Sequence, residues 1–182
     1  ADEYLSGDVR WKLRLLKEID NPKYATNMEA LEMVQPNDLT ASEIDVRLGA
    51  TWIPPDDIQR FVIELLKPAY YASSKIKVHY SRLTAQWSIS GKTSDYGNVT
   101  ANVTYGTKRI NAYKIIEETL NLKDVRIFDT VYDESSGEKR ILNRNETVLA
   151  QQKQQLIKDA FRDWIWKDPD RRDRLTTLYN TK

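Results

Sequence analysis

Apolar residues recur at intervals of three and four at both ends of this chain and alternate with polar ones between, so helices flank a stretch of short strands. Ser6 or Asp8 caps a first helix in which Val9, Leu13 and Leu16 share a face, ending near Asp20. Asn21 and Pro22 open a second, with Tyr24, Met28, Leu31 and Val34 on one side until Pro36 stops it. Thr40-Ala41-Ser42-Glu43 has the form of a capping box, followed by Ile44 and Leu48 on one helical face and Gly49 as a stop. Ile44, Val46 and Leu48 also alternate as a strand would. A Trp52–Pro54 corner then feeds a helix opened by Pro54–Pro55 and Asp56–Asp57, with Ile58, Phe61, Val62 and Leu65 as its buried stripe.

The pattern changes after Pro68. Ile76, Val78 and Tyr80 alternate, a turn follows around Arg82–Ala85, and Trp87 and Ile89 alternate again, which predicts a hairpin over Lys75–Ser90. Gly91–Asn98 reads as a polar, mobile loop. A strand over Val99–Tyr105 is expected to run into Gly106–Thr107, before a helix marked by Ile110, Tyr113, Ile116 and Leu120. Val125, Ile127 and Val131 begin a second hairpin that returns through Arg140–Leu142 after the DESSGE turn. Leu149, Leu156, Ala160, Phe161, Trp164 and Ile165 form the face of a long helix, broken at Asp168–Pro169 and followed by a short one. The expected class is α+β, with a helical N-terminal part (1–67), short antiparallel hairpins around one helix (75–142) and C-terminal helices (145–182) in a single domain.

Composition narrows the functional classes. With 28 basic and 27 acidic side chains the formal net charge is +1, so any polyanion must be met by a local patch. The absence of cysteine rules out disulfides and thiolate metal sites and fits a cytoplasmic setting. No apolar run reaches the roughly 18 residues that span a bilayer, and ADEYLSGDVR lacks the basic start and apolar middle of a signal peptide, so a soluble protein without a membrane partner is expected. Five Trp and ten Tyr supply too much apolar area for a disordered chain. The abrupt ends give the impression of a piece excised from a longer protein.

Candidate chemistry is sparse. Asn21-Pro22-Lys23-Tyr24 is close to the Asn-Pro-Pro-Tyr motif of amino-group methyltransferases, but Lys23 replaces the second proline and the preceding LLKEID ends a helix; a helix cap accounts for it. His79, the one histidine, faces opposite Val78 on a strand and reads as a surface residue with no serine elbow to serve. Asp56 and Asp57 suit a first helical turn, and Glu117 and Glu118 an exposed helix face. Tyr105-Gly106-Thr107-Lys108-Arg109 joins a glycine at a strand-to-helix junction to two cations, which suits either a phosphate contact or an ordinary helix start. It lacks P-loop spacing, so ATP binding within the chain is not expected. Lys75, Lys77 and Arg82 alternate with His79, Tyr80 and Trp87, with Lys92 following, a mixture that can hold a nucleic-acid backbone and stack bases. Arg171, Arg172 and Arg174 are interleaved with Asp168, Asp170 and Asp173, as on a solvated helix face.

The blocks GDVRWKL, ASEIDVRLGATWIPPDDIQRF, IKVHY, YGTKRINAYKIIEETLNLKDVRIFD and WIWKDPDRRDRLTTLYN together resemble the large methyltransferase–helicase fusion proteins of phages, plasmids and integrative elements. In that family an adenine-specific DNA methyltransferase precedes a superfamily-two, Snf-type helicase, and some phage members act against host restriction. The resemblance covers nearly the whole chain and falls on the segment between the two catalytic domains, so it implies no catalytic residue here. S-adenosylmethionine, ATP and magnesium are implied for the parent only, and the flanking methyltransferase and helicase domains are the implied neighbours.

The resulting expectation is a noncatalytic module that contacts DNA or couples domains. Its expected DNA-binding residues are Lys75, Lys77, Arg82, Trp87, Lys92, Gly106, Thr107, Lys108 and Arg109, with no metal site and no cofactor of its own. The competing expectations are a purely structural connector and, behind it, a stand-alone carboxylate-dependent nuclease.

Overall fold

A computed structural model describes residues 10–12, 14–15 and 37–181. The chain divides into two compact units, Ala1–Leu39 and Thr40–Lys182, so the boundary falls at Leu39–Thr40, ahead of the change of pattern after Pro68. In the first unit residues 10–12 and 14–15 are helical, and Arg10 pairs with Asp38 at 2.7 Å. The expected second helix, with Asn21-Pro22-Lys23-Tyr24, lies outside the described residues.

The second unit mixes helices with two antiparallel hairpins. Its helices are α1 (Pro55–Leu66), the single turn α2 (Tyr70–Ser73), α3 (Ala112–Leu120), α4 (Arg144–Ile165) and α5 (Pro169–Thr181). One hairpin pairs β1 (Lys77–Ser81) with β2 (Gln86–Ser90), and the other pairs β3 (Phe128–Asp133) with β4 (Gly137–Leu142). Val78 lies opposite Ile89 and Tyr80 opposite Trp87 in the first, and Phe128 opposite Leu142 in the second.

The capping box at Thr40 forms, but the helix expected after it does not. Glu43 accepts from the Thr40 hydroxyl at 2.8 Å and closes a single 3-10 turn over Ala41–Glu43. Beyond it the alternation of Ile44, Val46 and Leu48 prevails, and all three are buried along an extended run. Gly49 then turns with φ +100°, close against the backbone at Leu120, where a side chain has no room.

The α1 and α3 helices close strand edges with side chains in place of further strands, which answers the problem of an unpaired ladder, and α4 holds the irregular segment 123–127 in the same way. Gln59 of α1 accepts from Val78 N–H on β1 at 3.2 Å. On β2, Glu117 of α3 accepts from Ile89 N–H at 2.9 Å, while Asn121 accepts from Trp87 N–H at 2.8 Å and donates to Trp87 C=O at 2.9 Å. From α4, Gln154 accepts from Val125 N–H at 3.1 Å and donates to Lys123 C=O at 2.8 Å; Gln151 donates to Val125 C=O and Thr147 accepts from Ile127 N–H. The expected Glu117 on an exposed face is thus corrected: its position on α3 faces β2, and the carboxylate is buried against that strand.

The core is built from α3, which buries Tyr113, Ile115, Ile116 and Leu120, and from the crossing of α1 and α4. Phe61 meets Phe161 edge-on at 5.0 Å and Trp164 at 5.4 Å. On α4 the buried positions are Thr147, Ala150, Gln154, Ile157, Phe161 and Ile165, so the expected Leu149 and Leu156 sit outside the core face and are exposed. Leu66, and not Leu65, completes the buried stripe of α1.

The arginine-rich end keeps a solvated face, with Asp168, Asp170, Arg172 and Asp173 exposed as expected, but Arg171 and Arg174 also make it a joint. Arg171 lies 3.6 Å over the Trp164 ring and donates to Ile165 C=O at 3.1 Å, capping the end of α4. Arg174 clasps Asp57 with both terminal nitrogens, one of them at 3.1 Å, so Asp57 ties the start of α1 to α5 beyond any favourable effect on its helix dipole. Trp52 packs edge-on to Tyr179 at 5.1 Å beside them.

Val99–Tyr105 is also corrected. It forms a wide π-type turn over Thr100–Thr104 instead of a strand, because Asn98 accepts from Ala101 N–H and Asn102 donates back to Asn98 C=O at 2.8 Å. At the tip of the first hairpin Ala85 holds φ 55° while exposed, a left-handed conformation that costs a Cβ roughly 1–2 kcal/mol. Ala85→Gly is expected to raise stability by about 0.5 kcal/mol, after allowing for the extra freedom glycine gives the unfolded chain. Urea denaturation checks this, and an unchanged or lowered midpoint counts against it.

Candidate nucleic-acid interface

The residues expected to bind DNA are scattered by the fold. Trp87 is 4% exposed, stacked obliquely on Tyr80 at 4.9 Å and locked by Asn121, so it offers no face to a base. Lys92 donates to Glu117 at 2.6 Å and to Ile89 C=O at 2.9 Å, so its charge is spent internally. Both expectations fail for one reason: the side of the hairpin that carries them is the side α3 covers. Lys75, Lys77, Arg82 and His79 remain exposed.

The Gly106–Arg109 turn is not a phosphate cradle. Helix α3 begins later, at Ala112, with Asn111 accepting from Lys114 N–H as its cap. Two amides of the turn are occupied, since Thr107 N–H donates to Ile110 C=O at 2.7 Å and Arg109 N–H to the Thr107 hydroxyl, which also accepts from Ile110 N–H. Gly106 is buried against Ala101 C=O, which explains the glycine without a ligand. Arg109 donates to Asp129 at 2.6 Å and to Phe128 C=O at 2.9 Å, and holds the Asp129 carboxyl below its usual range. Lys108 and Arg109 are both exposed, and of the two only Arg109 is held in an ion pair.

A different group of cations converges where α3 ends. A groove of about 360 Å³ is lined by Arg47, Lys123, Lys158 and Arg162, with Asp124 as its one acidic residue, over a floor that includes Val46, Leu48 and Thr119. Lys158 and Arg162 are four residues apart on α4 and therefore share a face. Arg47, like Asp45, is an exposed member of the alternating Ile44–Leu48 run, and Lys123 lies three residues past the end of α3. Among the described residues none of the four is in an ion pair or donates a side-chain hydrogen bond. Gln154 and Gln151 fix Lys123 beside α4 through the backbone bonds given above.

A second groove of about 590 Å³ adjoins it across Leu122, Lys123 and Asp124, and adds Arg126 and Arg140. Arg140 lies 4.4 Å over the Phe128 ring. The Lys114 at its edge is neutralised by Glu117 at 2.9 Å and Glu118 at 3.1 Å. Leu122, at the shared rim, holds φ 60°. Its amide donates to Thr119 C=O and that of Lys123 to Glu118 C=O, so the carbonyls that end α3 are turned inward and satisfied.

These groove cations were missed in the sequence because they come from three separate segments, and in each the spacing is ordinary. The available signal was polar: Thr147 and Gln154 stand at core positions of α4, which marks a helix that bonds to backbone on its buried side. Among the described residues no group of three or more histidine, aspartate and glutamate side chains is placed to hold a metal, and no helix is long and apolar enough to cross a membrane.

What these features define is a domain of two hairpins braced by helices, with a basic groove at the end of its central helix. The chain belongs to DUF8437, a family defined as a domain of unknown function, whose profile matches residues 47–182. No curated protein and no solved structure matches the chain.

Proposed function

We propose that this chain is a noncatalytic DNA-contacting module that grips the phosphate backbone through Arg47, Lys123, Lys158 and Arg162. The observation that carries this reading is four unpaired cations lining one groove, with the Lys123 backbone tied to α4 by Gln154. Phosphates reward such a placement because each contact releases condensed counterions. Arg126 and Arg140 extend the path into the adjoining groove, while Lys75, Lys77, Arg82 and Lys108 are left as outlying contacts. The sequence resemblance suggests the setting: a segment between the methyltransferase and helicase domains of a mobile-element fusion protein, working in the cytoplasm and leaving S-adenosylmethionine and ATP to its neighbours.

Duplex binding by the 182-residue chain, titrated across salt concentrations, tests the reading. Joint replacement of Lys158 and Arg162 by alanine is expected to weaken binding and to lower the slope of log affinity against log salt by roughly two, at about 0.9 per phosphate contact. Replacing Lys92, whose charge Glu117 holds, is expected to leave that slope unchanged. A duplex affinity indifferent to the Lys158 and Arg162 changes would sink the groove and favour a structural connector.

A further inference from the structure

The exposed tyrosines Tyr70, Tyr71 and Tyr96 form a feature the groove does not use. Their rings make a continuous row, Tyr70 to Tyr71 at 5.6 Å and edge-on, Tyr71 to Tyr96 at 5.7 Å and tilted by 33°. Tyr70 is 93% and Tyr96 80% exposed, while Tyr71 between them is 37% exposed. None of the three hydroxyls is in a hydrogen bond among the described residues. Large apolar rings left in water at both ends of a row gain nothing from folding.

The backbone beneath them is nevertheless held tightly. Asp95 is buried, and its carboxylate accepts from Ala69 N–H at 3.2 Å, from the Asn98 side chain at 2.7 Å and from the Tyr113 hydroxyl at 2.6 Å. Ala69 immediately precedes Tyr70, and Asn98 closes the turn that carries Tyr96. Asn98 also donates to Leu66 C=O at 2.7 Å, so the end of α1, the start of α2 and the 95–98 turn are joined at one buried carboxylate. The loop expected to be mobile is instead pinned, and the pinning fixes the two segments that bear the rings. Burial and the Asp95 bond push the Tyr113 hydroxyl far above its usual range, so this joint does not come apart by deprotonation at working pH.

The flanks are basic. Lys67, held at φ 47° as the cap of α1, and Lys75, just past α2, are exposed and free of ion pairs among the described residues. The one acidic residue of the joint, Asp95, is turned inward.

From this geometry we infer that Tyr70, Tyr71 and Tyr96 are a preformed stacking platform for unpaired bases of a single-stranded nucleic acid, with Lys67 and Lys75 beside the phosphates. Aromatic faces accept every base, and a fixed row avoids the ordering cost of assembling it on binding. Two features favour this occupant over an apolar protein partner: the cationic flanks, and the free ring faces at both ends of the row, which let a strand continue past it. The platform is separate from the groove and does not depend on it.

Fluorescence anisotropy with a labelled twelve-residue oligo(dT) and an abasic strand of the same length provides the test. The chain is expected to prefer oligo(dT), and Tyr70→Ala or Tyr96→Ala to weaken that binding about tenfold without changing the abasic affinity or the salt slope. Tyr96→Phe, which keeps the ring, is expected to bind as the parent does. Both tyrosines are so exposed that their loss leaves the thermal midpoint unchanged, which circular dichroism verifies. Equal affinity for the two strands, no binding to either, or an equal loss on both in the alanine variants would overturn the platform. Duplex binding by the Lys158 and Arg162 variants is a separate arm, so either site can fail while the other holds.

Discussion

Truncating Phe61 to alanine is expected to cost the Thr40–Lys182 unit about 3–5 kcal/mol, the range for an aromatic side chain removed from a closed core. Phe61 is 1% exposed and is the one ring of α1 that reaches both Phe161 and Trp164 of α4. Its loss removes the apolar burial, leaves a cavity between two rigid helices, and breaks two ring pairs worth about 0.5–1.5 kcal/mol each beyond their area. Urea denaturation followed at 222 nm reads the change. Phe61→Leu, which loses both ring pairs but keeps most of the volume, is expected to cost less, about 1–3 kcal/mol. A cost for the alanine variant no larger than that of leucine would mean that the α1–α4 crossing is not a close-packed part of the core.

Replacing Glu117 by alanine is expected to cost about 3 kcal/mol at neutral pH, because a buried amide and a nearby ammonium lose their acceptor together. Glu117 receives Ile89 N–H at 2.9 Å, Lys92 at 2.6 Å and Lys114 at 2.9 Å. Burial alone would raise its pKa, but those three donors outweigh it and hold the carboxyl below its usual range. A carboxyl with a depressed folded-state pKa stabilises the fold above its unfolded value, near 4.5, and that contribution disappears as pH falls through the folded value. The stability gap between the parent and Glu117→Gln is therefore expected to be widest at neutral pH and to close as pH falls below the unfolded value and through the lower folded one. Asp129 and Asp133 also have lowered pKa values, but they are present in both proteins and cancel from the difference. A gap that persists unchanged into acid would place the effect in packing and not in charge.

Elements with strong local signals were legible. The Pro54–Pro55 helix start, both hairpins and the break at Pro169 rest on residues that fix their own backbone, whatever surrounds them. Elements decided by tertiary contact were not. The capping box at Thr40 formed, yet the residues after it followed their alternation because Ile44, Val46 and Leu48 have an apolar surface to meet. Val99–Tyr105 has β-rich composition, but Asn98 and Asn102 offered its backbone a turn. On α4 the face was misjudged by one position, since Leu149 and Leu156 promised more burial than Thr147 and Gln154, whose value comes from the backbone they bond. The candidate interface was harder still. A cation reads the same whether it ends beside Glu117, as Lys92 does, or unpaired in a groove, as Lys158 does, and only the fold separates the two.

The clasp between Asp57 and Arg174 spans 117 residues, and the bond from Trp164 to Glu64 spans 100. Closing a loop of that length costs about 4 kcal/mol of chain entropy before either contact can form, whereas the two hairpins and the helix turns close over a few residues each. Assembly therefore has a natural order, with hairpins and helices gathering locally and the side-chain clasp closing only after α1 has met α5. Contacts made after the barrier slow unfolding more than they speed folding, so Asp57 and Arg174 act chiefly on how long the native state lasts once it has formed.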